Sequence, residues 1–433
     1  MGSSRGVHVN TVTSDTETYT LTTMSLPGTP RTPREFAELS DFQAWLNMTK
    51  SGIGLIVFTL PMVTGKVGTV PAIITLLVVC MASLWCMLLV ARCKNRLEPR
   101  EKEESDPLYR VEASTLGAKL DSTPTWDSGL GYLDSVVEAS CGRWGRLLAT
   151  VSILALQFSN GVAFVTSMAK GVPSAFPAVS RNGCLLGVCI VFMILSLTNR
   201  MRKVAYLSVA ALLTVAFVAS CLVYEASSHP RSEHVTTELW RTTGCDYGEI
   251  FASVAYLFGV LPICDRVHLE MRSKSHFPYV AALSYLTILI AGMFIGLLGY
   301  YAYGAEAEEL VYLNFPNSSK RLVVVCMAVI MSVSCTLHNV PINMFLQERL
   351  PGVHFAVLNS SVVCCQVLVA YWLTDLMTAS ETLSNASNIL VGWLLPGVAF
   401  LILSHRYERC EQLTTVLAML LGIVGCAAAF ASA

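Results

Sequence analysis

Apolar residues fall in long runs along this chain, and the polar stretches between most of them are short enough to be only loops. Windows of about 20 residues, the length a helix needs to cross hydrocarbon, place eleven runs near 46–68, 70–91, 146–170, 183–199, 203–224, 248–270, 279–303, 321–345, 352–374, 386–404 and 412–432. The pattern predicts an all-α membrane protein of about eleven transmembrane helices, here called spans one to eleven. The longest pieces outside the runs are residues 1–40 and 93–142. Residues 1–40 read as a disordered cytosolic tail, residues 41–433 as a transmembrane domain, and residues 93–142 as a cytosolic loop within it. That loop is charged until Gly131, and Tyr132 to Cys141 then reads as an interfacial helix anchored by Trp144 at the headgroups.

Two runs are interrupted near their middles. The first reads Lys50-Ser-Gly-Ile-Gly-Leu-Ile-Val-Phe-Thr-Leu-Pro61, the second Tyr256-Leu-Phe-Gly-Val-Leu-Pro-Ile-Cys-Asp265. Gly52 and Gly54 let the backbone leave helical geometry at little steric cost, and Pro262 removes a donor and clashes with the carbonyl four residues back. Lipid does not tolerate unpaired backbone, so such breaks must face protein or a watery cavity. Paired discontinuous helices are the sequence mark of a secondary transporter's binding site. The expectation is a substrate carboxylate held by backbone groups of Ser51, Gly52, Ile53, Gly54 and Leu55, where amides open a second half-helix. Tyr256, Phe258 and Gly259 would face it, with carbonyls before Pro262 receiving an ammonium group. Close helix packing is the alternative for the two glycines, and aromatic core packing the alternative for Tyr256 and Phe258.

Composition agrees. The chain is 54% hydrophobic and 14% charged, with mean hydropathy +0.57, which excludes a soluble globular protein. A net charge of −1 gives no sign of a nucleic-acid partner. Its distribution is informative: Arg92, Lys94, Arg96, Arg200, Arg202, Lys203, Arg272, Lys274, Arg406 and Arg409 crowd one set of span ends. Lys66, Lys170, Arg181, Arg241, Lys320 and Arg321 mark the other more thinly. Positive residues favour the inside, so the N-terminus is expected in the cytosol and the C-terminus outside or in a lumen. The sequons at Asn317 and Asn385 fall in external loops and are glycosylation candidates, whereas those at Asn47 and Asn359 lie in spans and should be silent. Cys184 and Cys245 lie in external loop regions, where a disulfide and two free thiols are equally open readings.

Few ionisable residues lie at membrane depth: Lys50, Asp265, His268, Glu270 and His338. Each is a functional candidate by default, although Glu270 can simply mark the interface and His338 can be a hydrogen-bonded structural residue. No Walker, Rossmann, CxxC or HExxH motif is present. We therefore expect no enzyme activity, cofactor or metal, and uphill transport would have to draw on an ion gradient.

The residues resemble the amino acid/auxin permease family, closest to its proton-coupled branch. The likeness lies in Phe251-Ala-Ser, Tyr256, Phe258, Glu270-Met271 and His276-Phe277-Pro278. It continues through Gly299-Tyr300, Tyr303-Gly304 and Asn314-Phe-Pro316, with Lys50, Gly54 and Leu60-Pro61 in span one. Gly-Arg-Trp-Gly-Arg146, Gln157-Phe158 and Asn199-Arg-Met-Arg202 complete a collinear match over residues 45–345. The resemblance implies a LeuT-like five-plus-five inverted repeat with one extra helix. It also implies alternating access and a small, neutral amino acid as substrate, carried with protons. Sodium remains open as the coupling ion. Two departures stand out: Gly54-Leu55-Ile56 replaces the family's Gly-Thr-Gly, and Gly259 replaces its acidic residue in span six. Asp265 or His268 would then be the coupling group. The departures also leave a membrane amino-acid sensor signalling through residues 1–40 as an alternative. A monomer in the plasma membrane or a lysosomal or vacuolar membrane is expected.

Overall fold

The computed structural model describes residues 10–14, 17–21, 39–104, 132–197, 201–228, 237–241, 247–372, 384–403 and 409–432. Within the first 37 residues, Asn10–Ser14 and Glu17–Leu21 pair as antiparallel strands with Asn10 opposite Leu21. The rest of the expected disordered tail lies outside the described residues.

From Leu39 onward the chain is helical. Span one starts at Asp41–Gly52. Its N-cap is Ser40, which forms a capping box: the hydroxyl accepts from Gln43 N at 3.3 Å, and Gln43 Oε1 accepts from Ser40 N at 3.1 Å. The helix then breaks, makes one 3₁₀ turn over Ile56–Phe58, and resumes as Leu60–Val67. Span six breaks likewise into Tyr247–Leu257 and Leu261–Glu270. The other spans are Thr69–Glu104, Leu133–Ala175, Arg181–Ser196, Met201–Ser228, Phe277–Tyr303, Asn317–Arg349, Phe355–Trp372, Ser384–Leu403 and Arg409–Ser432. Among the described residues, eight helical stretches are long and apolar enough to cross a membrane, and Arg181–Ser196 is a shorter apolar helix.

Spans one, two, six and seven pack on one another, and spans three, four, eight and nine make a second group. Span five lies against spans one, seven and eight, span ten reaches from span two to span three, and span eleven covers span six. Five spans reverse the direction of the chain, so the broken span six enters from the side opposite to the broken span one. This is the five-plus-five inverted repeat. Apolar side chains at helical spacing, such as Ile74, Leu77 and Met81 on span two and Leu286, Ile290 and Phe294 on span seven, are exposed. They form the face that lipid covers, which is why hydropathy runs high without matching burial.

Leu133–Ala175 is two helices meeting at Gly142, where φ is 71° and ψ −167°, a backbone region that glycine enters without strain. Tyr132 through Val137 are all buried, and only the region around Trp144, 82% exposed, stands free of the bundle.

Candidate functional site

The span-one break is tightest at Ile53, whose φ of −79° and ψ of 79° close a turn from Gly54 N to Gly52 O at 2.9 Å. That turn diverts the Ile53 carbonyl from the helix ladder. Its acceptor is met by Lys50 Nζ at 2.9 Å, and the same ammonium donates to Ser334 Oγ on span eight at 2.5 Å. Beyond the turn, the amides of Leu55, Ile56 and Val57 meet no acceptor among the described residues, while Phe58 N and Thr59 N close the 3₁₀ turn onto Leu55 O and Ile56 O. Free amides at the start of a helical segment suit an anion.

Span six breaks by a different local cause. Pro262 has no N–H for the Phe258 carbonyl, and Gly259 N turns back to Tyr256 O at 3.0 Å, leaving the Ala255 carbonyl without its helical donor. Both carbonyls are taken by side chains: Tyr285 OH on span seven donates to Phe258 O at 3.3 Å, and Asn388 Nδ2 on span ten donates to Ala255 O at 2.7 Å. Carbonyls expected to be available to an ammonium group are thus engaged within the protein. Asn388 also explains Gly259, because a Cβ there would lie 2.2 Å from Asn388 Oδ1. Just beyond Asn388, span ten makes a π turn over Leu390–Leu394, a local widening frequent at functional sites.

Between the breaks and spans three and ten lies a cavity of about 470 Å³. Leu55, Ile56 and Thr59 line it from span one, Ala252, Ser253 and Tyr256 from span six, Ser159 and Ala163 from span three, and Ser384 and Asn385 from span ten. Lys66, Glu249 and Glu309 line its outer end. These charges are matched: Lys66 pairs with Glu249 at 2.5 Å, and Glu309 with Lys170 at 3.0 Å. A polar chain runs from the cavity wall into the bundle. Tyr256 OH donates to Asn160 Oδ1 at 2.6 Å, Ser384 Oγ reaches the same oxygen at 3.2 Å, and Asn160 Nδ2 lies 3.1 Å from His338 Nδ1, which also contacts Gln157 Oε1. Tyr256→Phe removes one of the two donors to Asn160. It should lower substrate uptake roughly two- to tenfold, the value of one neutral hydrogen bond; initial-rate uptake of labelled substrate checks this.

Of the residues read from sequence, Leu55 and Tyr256 line the cavity; Ser51, Gly52, Ile53, Gly54, Phe258 and Gly259 do not. Gly52 is a packing glycine, since a Cβ there would sit 2.5 Å from Ile288 Cδ1. At Gly54 a Cβ would meet only ordinary contacts, the nearest being Ser334 Oγ at 3.6 Å. Phe258 is buried and stacks on Tyr285 with ring centres 5.7 Å apart. Cys184 is a buried thiol that donates to the Met168 carbonyl, and Cys245 lies outside the described residues. Asn317 is exposed at the start of span eight, as a glycan requires. Asn385 sits half-buried on the cavity wall at the start of a helix.

The coupling candidates Asp265 and His268 are away from the cavity. Asp265, 1% exposed, accepts from Leu133 N at 3.0 Å and from the Tyr132 backbone, so its carboxylate caps the helix that precedes Gly142. Tyr132 OH lies 2.5 Å from His268 Nδ1, and Lys94 Nζ stands 4.7 Å over the Tyr132 ring. Next to them Leu39 pairs with the end of span six through Leu39 N–Glu270 O at 3.0 Å and Arg272 N–Leu39 O at 3.1 Å. This cluster closes the end of the bundle that the Lys/Arg distribution assigns to the cytosol.

The fold, with its two discontinuous helices, is similar over 90% of this chain and 91% of the other to Mhp1, a nucleobase-cation-symport-1 family transporter solved in a closed conformation with bromovinylhydantoin bound. The TM-score is 0.60 at 10% identity, a likeness of fold alone. The profile of the transmembrane amino acid transporter proteins matches residues 37–432, and the chain belongs to that family. Among relatives, it is 24% identical over 322 residues to amino acid transporter ANT1 of Arabidopsis thaliana, covering 72% of this chain and 68% of that one. It is 27% identical over 188 residues to vacuolar amino acid transporter 4 of Saccharomyces cerevisiae, covering 41% of this chain and 26% of that one. The chain is a multi-pass membrane protein and not an enzyme, and membrane amino acid transport is the activity its family supports.

Proposed function

We propose that the protein is a secondary active carrier of small neutral amino acids, driven by protons and working by alternating access as a monomer in the plasma membrane or a vacuolar or lysosomal membrane. The observation that carries the substrate class is the cavity's charge balance. Lys66 and Glu309, the charged groups that could recognise an ionised side chain, are each held in an ion pair, so the lining offers backbone amides, hydroxyls and apolar carbon. Amides of Leu55 and Ile56 suit the carboxylate, and the hydroxyls of Ser159, Ser253, Tyr256 and Ser384 suit a polar but uncharged remainder. The sequence carries no nucleotide-binding motif, so accumulation against a gradient needs an ion, and the family resemblance favours the proton.

The test is an uptake panel in proteoliposomes over the common amino acids, with and without an inward proton gradient. Small neutral amino acids should accumulate when the gradient is imposed. Lysine, arginine, aspartate and glutamate should be taken up at least about tenfold more slowly, because each would place an unpaired charge in the cavity. Preferential uptake of a charged amino acid would overturn the assignment of substrate class.

A further inference from the structure

The polar groups lining the cavity fall into two sets. In the first, Lys66, Glu249 and Glu309 are held in ion pairs, Thr59 Oγ1 turns back onto Ile56 O at 2.9 Å, and Tyr256 and Ser384 donate to Asn160. In the second, Ser159, Ser167, Ser253 and Asn385 meet no hydrogen-bond partner among the described residues. The three serines each offer one hydroxyl. Asn385 offers a carboxamide, with two N–H donors beside an acceptor oxygen. The turn that carries it is tied on both sides. Ser384 is bonded to Asn160 of span three at 3.2 Å, and Asn388 to the Ala255 carbonyl of span six at 2.7 Å. Further along span ten, Trp393 Nε1 donates to Ser83 Oγ of span two at 3.1 Å. Neighbours on three spans thus fix the backbone that presents Asn385, half-buried, on the cavity wall, and a group held this way can select among ligands.

A substrate that fills the cavity expels the water that would otherwise satisfy this carboxamide. An apolar side chain seated against it leaves donor and acceptor unpaired, a hydroxyl meets one of them, and a second carboxamide meets both through two parallel hydrogen bonds. Sites built on polar groups discriminate through what a mismatched substrate leaves unpaired. We propose that Asn385 is the specificity-determining residue of the cavity, and that it selects the amino acids with a carboxamide side chain, asparagine and glutamine, from among the neutral ones. At about 470 Å³ the cavity has room for a side chain of that length. The inference rests on the cavity being the substrate site of a carrier. Asn385 also opens the sequon Asn385-Ala-Ser387, and a glycan on its nitrogen would take the donors away, so the two uses of the residue exclude each other.

The test reconstitutes the full-length protein in proteoliposomes and measures initial uptake of glutamine, asparagine, serine, alanine and leucine. Binding of the same five is followed by thermal shift of the protein in detergent. In the parent, glutamine and asparagine should be preferred over alanine and leucine about tenfold in kcat/KM, the scale of one to two net neutral hydrogen bonds, with serine between. Asn385→Leu should lower the glutamine-to-alanine ratio by the same factor. Ser387→Ala, which removes the sequon and keeps the carboxamide, should hold the parent's ratio. A parent that does not prefer carboxamides overturns the inference, whether or not the variants fold. So does a ratio untouched by Asn385→Leu, a ratio that Ser387→Ala lowers as far, or a glycan found on Asn385 by peptide mass spectrometry. Glutamine binding that Asn385→Leu weakens, in a protein that takes up no amino acid, would defeat the carrier reading and leave Asn385 assigned; uptake of alanine with no preference for carboxamides would do the reverse.

Discussion

Gly259→Ala should destabilise the protein by roughly 2–5 kcal/mol, combining the overpacking of a well-filled site with the orphaning of a buried carbonyl. The new Cβ would lie 2.2 Å from Asn388 Oδ1 and 2.8 Å from Asn388 Nδ2. Asn388 is buried and held by its 2.7 Å bond to the Ala255 carbonyl, so it cannot move without giving up that bond. Thermal unfolding of the purified variant measures the loss. Adding Asn388→Ala removes the clash but leaves the Ala255 carbonyl unpaired, and should return about half of the lost stability, the steric share. A Gly259→Ala protein as stable as its parent would show that span ten does not plug this break.

Asp265→Ala should release the closed end of the bundle. The carboxyl group holds the amides at the start of the helix preceding Gly142, and two such hydrogen bonds together are worth roughly 1–3 kcal/mol. Losing them shifts an equilibrium between closed and open forms by about 5- to 150-fold. Reaction of a cysteine placed at Ser135, which is buried, with a water-soluble thiol reagent should rise accordingly relative to the same cysteine in the parent. Substrate uptake against a gradient should fall as the closed state is lost. If the cysteine stays as protected as before, Asp265 is not a closing group. His268, 2.5 Å from Tyr132 OH on the same surface, belongs to the same closure. The expectation that one of these two residues carries the coupling proton would then need them to act at the closed end rather than beside the substrate.

Both breaks were legible in sequence because glycine and proline act on the backbone where they stand. Gly52, Gly54, Gly259 and Pro262 interrupt helices whatever surrounds them. The partners that satisfy the freed carbonyls were not. Asn388 is 133 positions from Ala255 and Tyr285 is 27 from Phe258, and a single Asn or Tyr inside an apolar run carries no periodic signal. Asn160 was hidden for the same reason, although its two-sided bonding to Tyr256 and His338 is the most connected polar feature of the cavity wall. An amphipathic pattern reports an apolar face, not whether lipid or protein covers it, so the burial of Tyr132 to Val137 against the bundle carried no signal in the sequence. Gly52 shows the opposite ambiguity: a residue without Cβ admits either a ligand or a neighbouring helix, and the neighbour, Ile288, is there.

The most direct measurement is a structure of the protein with a small neutral amino acid bound. The ligand should lie in the cavity between the two breaks, its carboxylate within hydrogen-bond distance of the amides of Leu55 and Ile56 and its body against Tyr256 and Ser253. A ligand bound elsewhere, or a carboxylate turned toward the Lys66–Glu249 pair with those amides left bare, would contradict the assignment of the breaks as the substrate site.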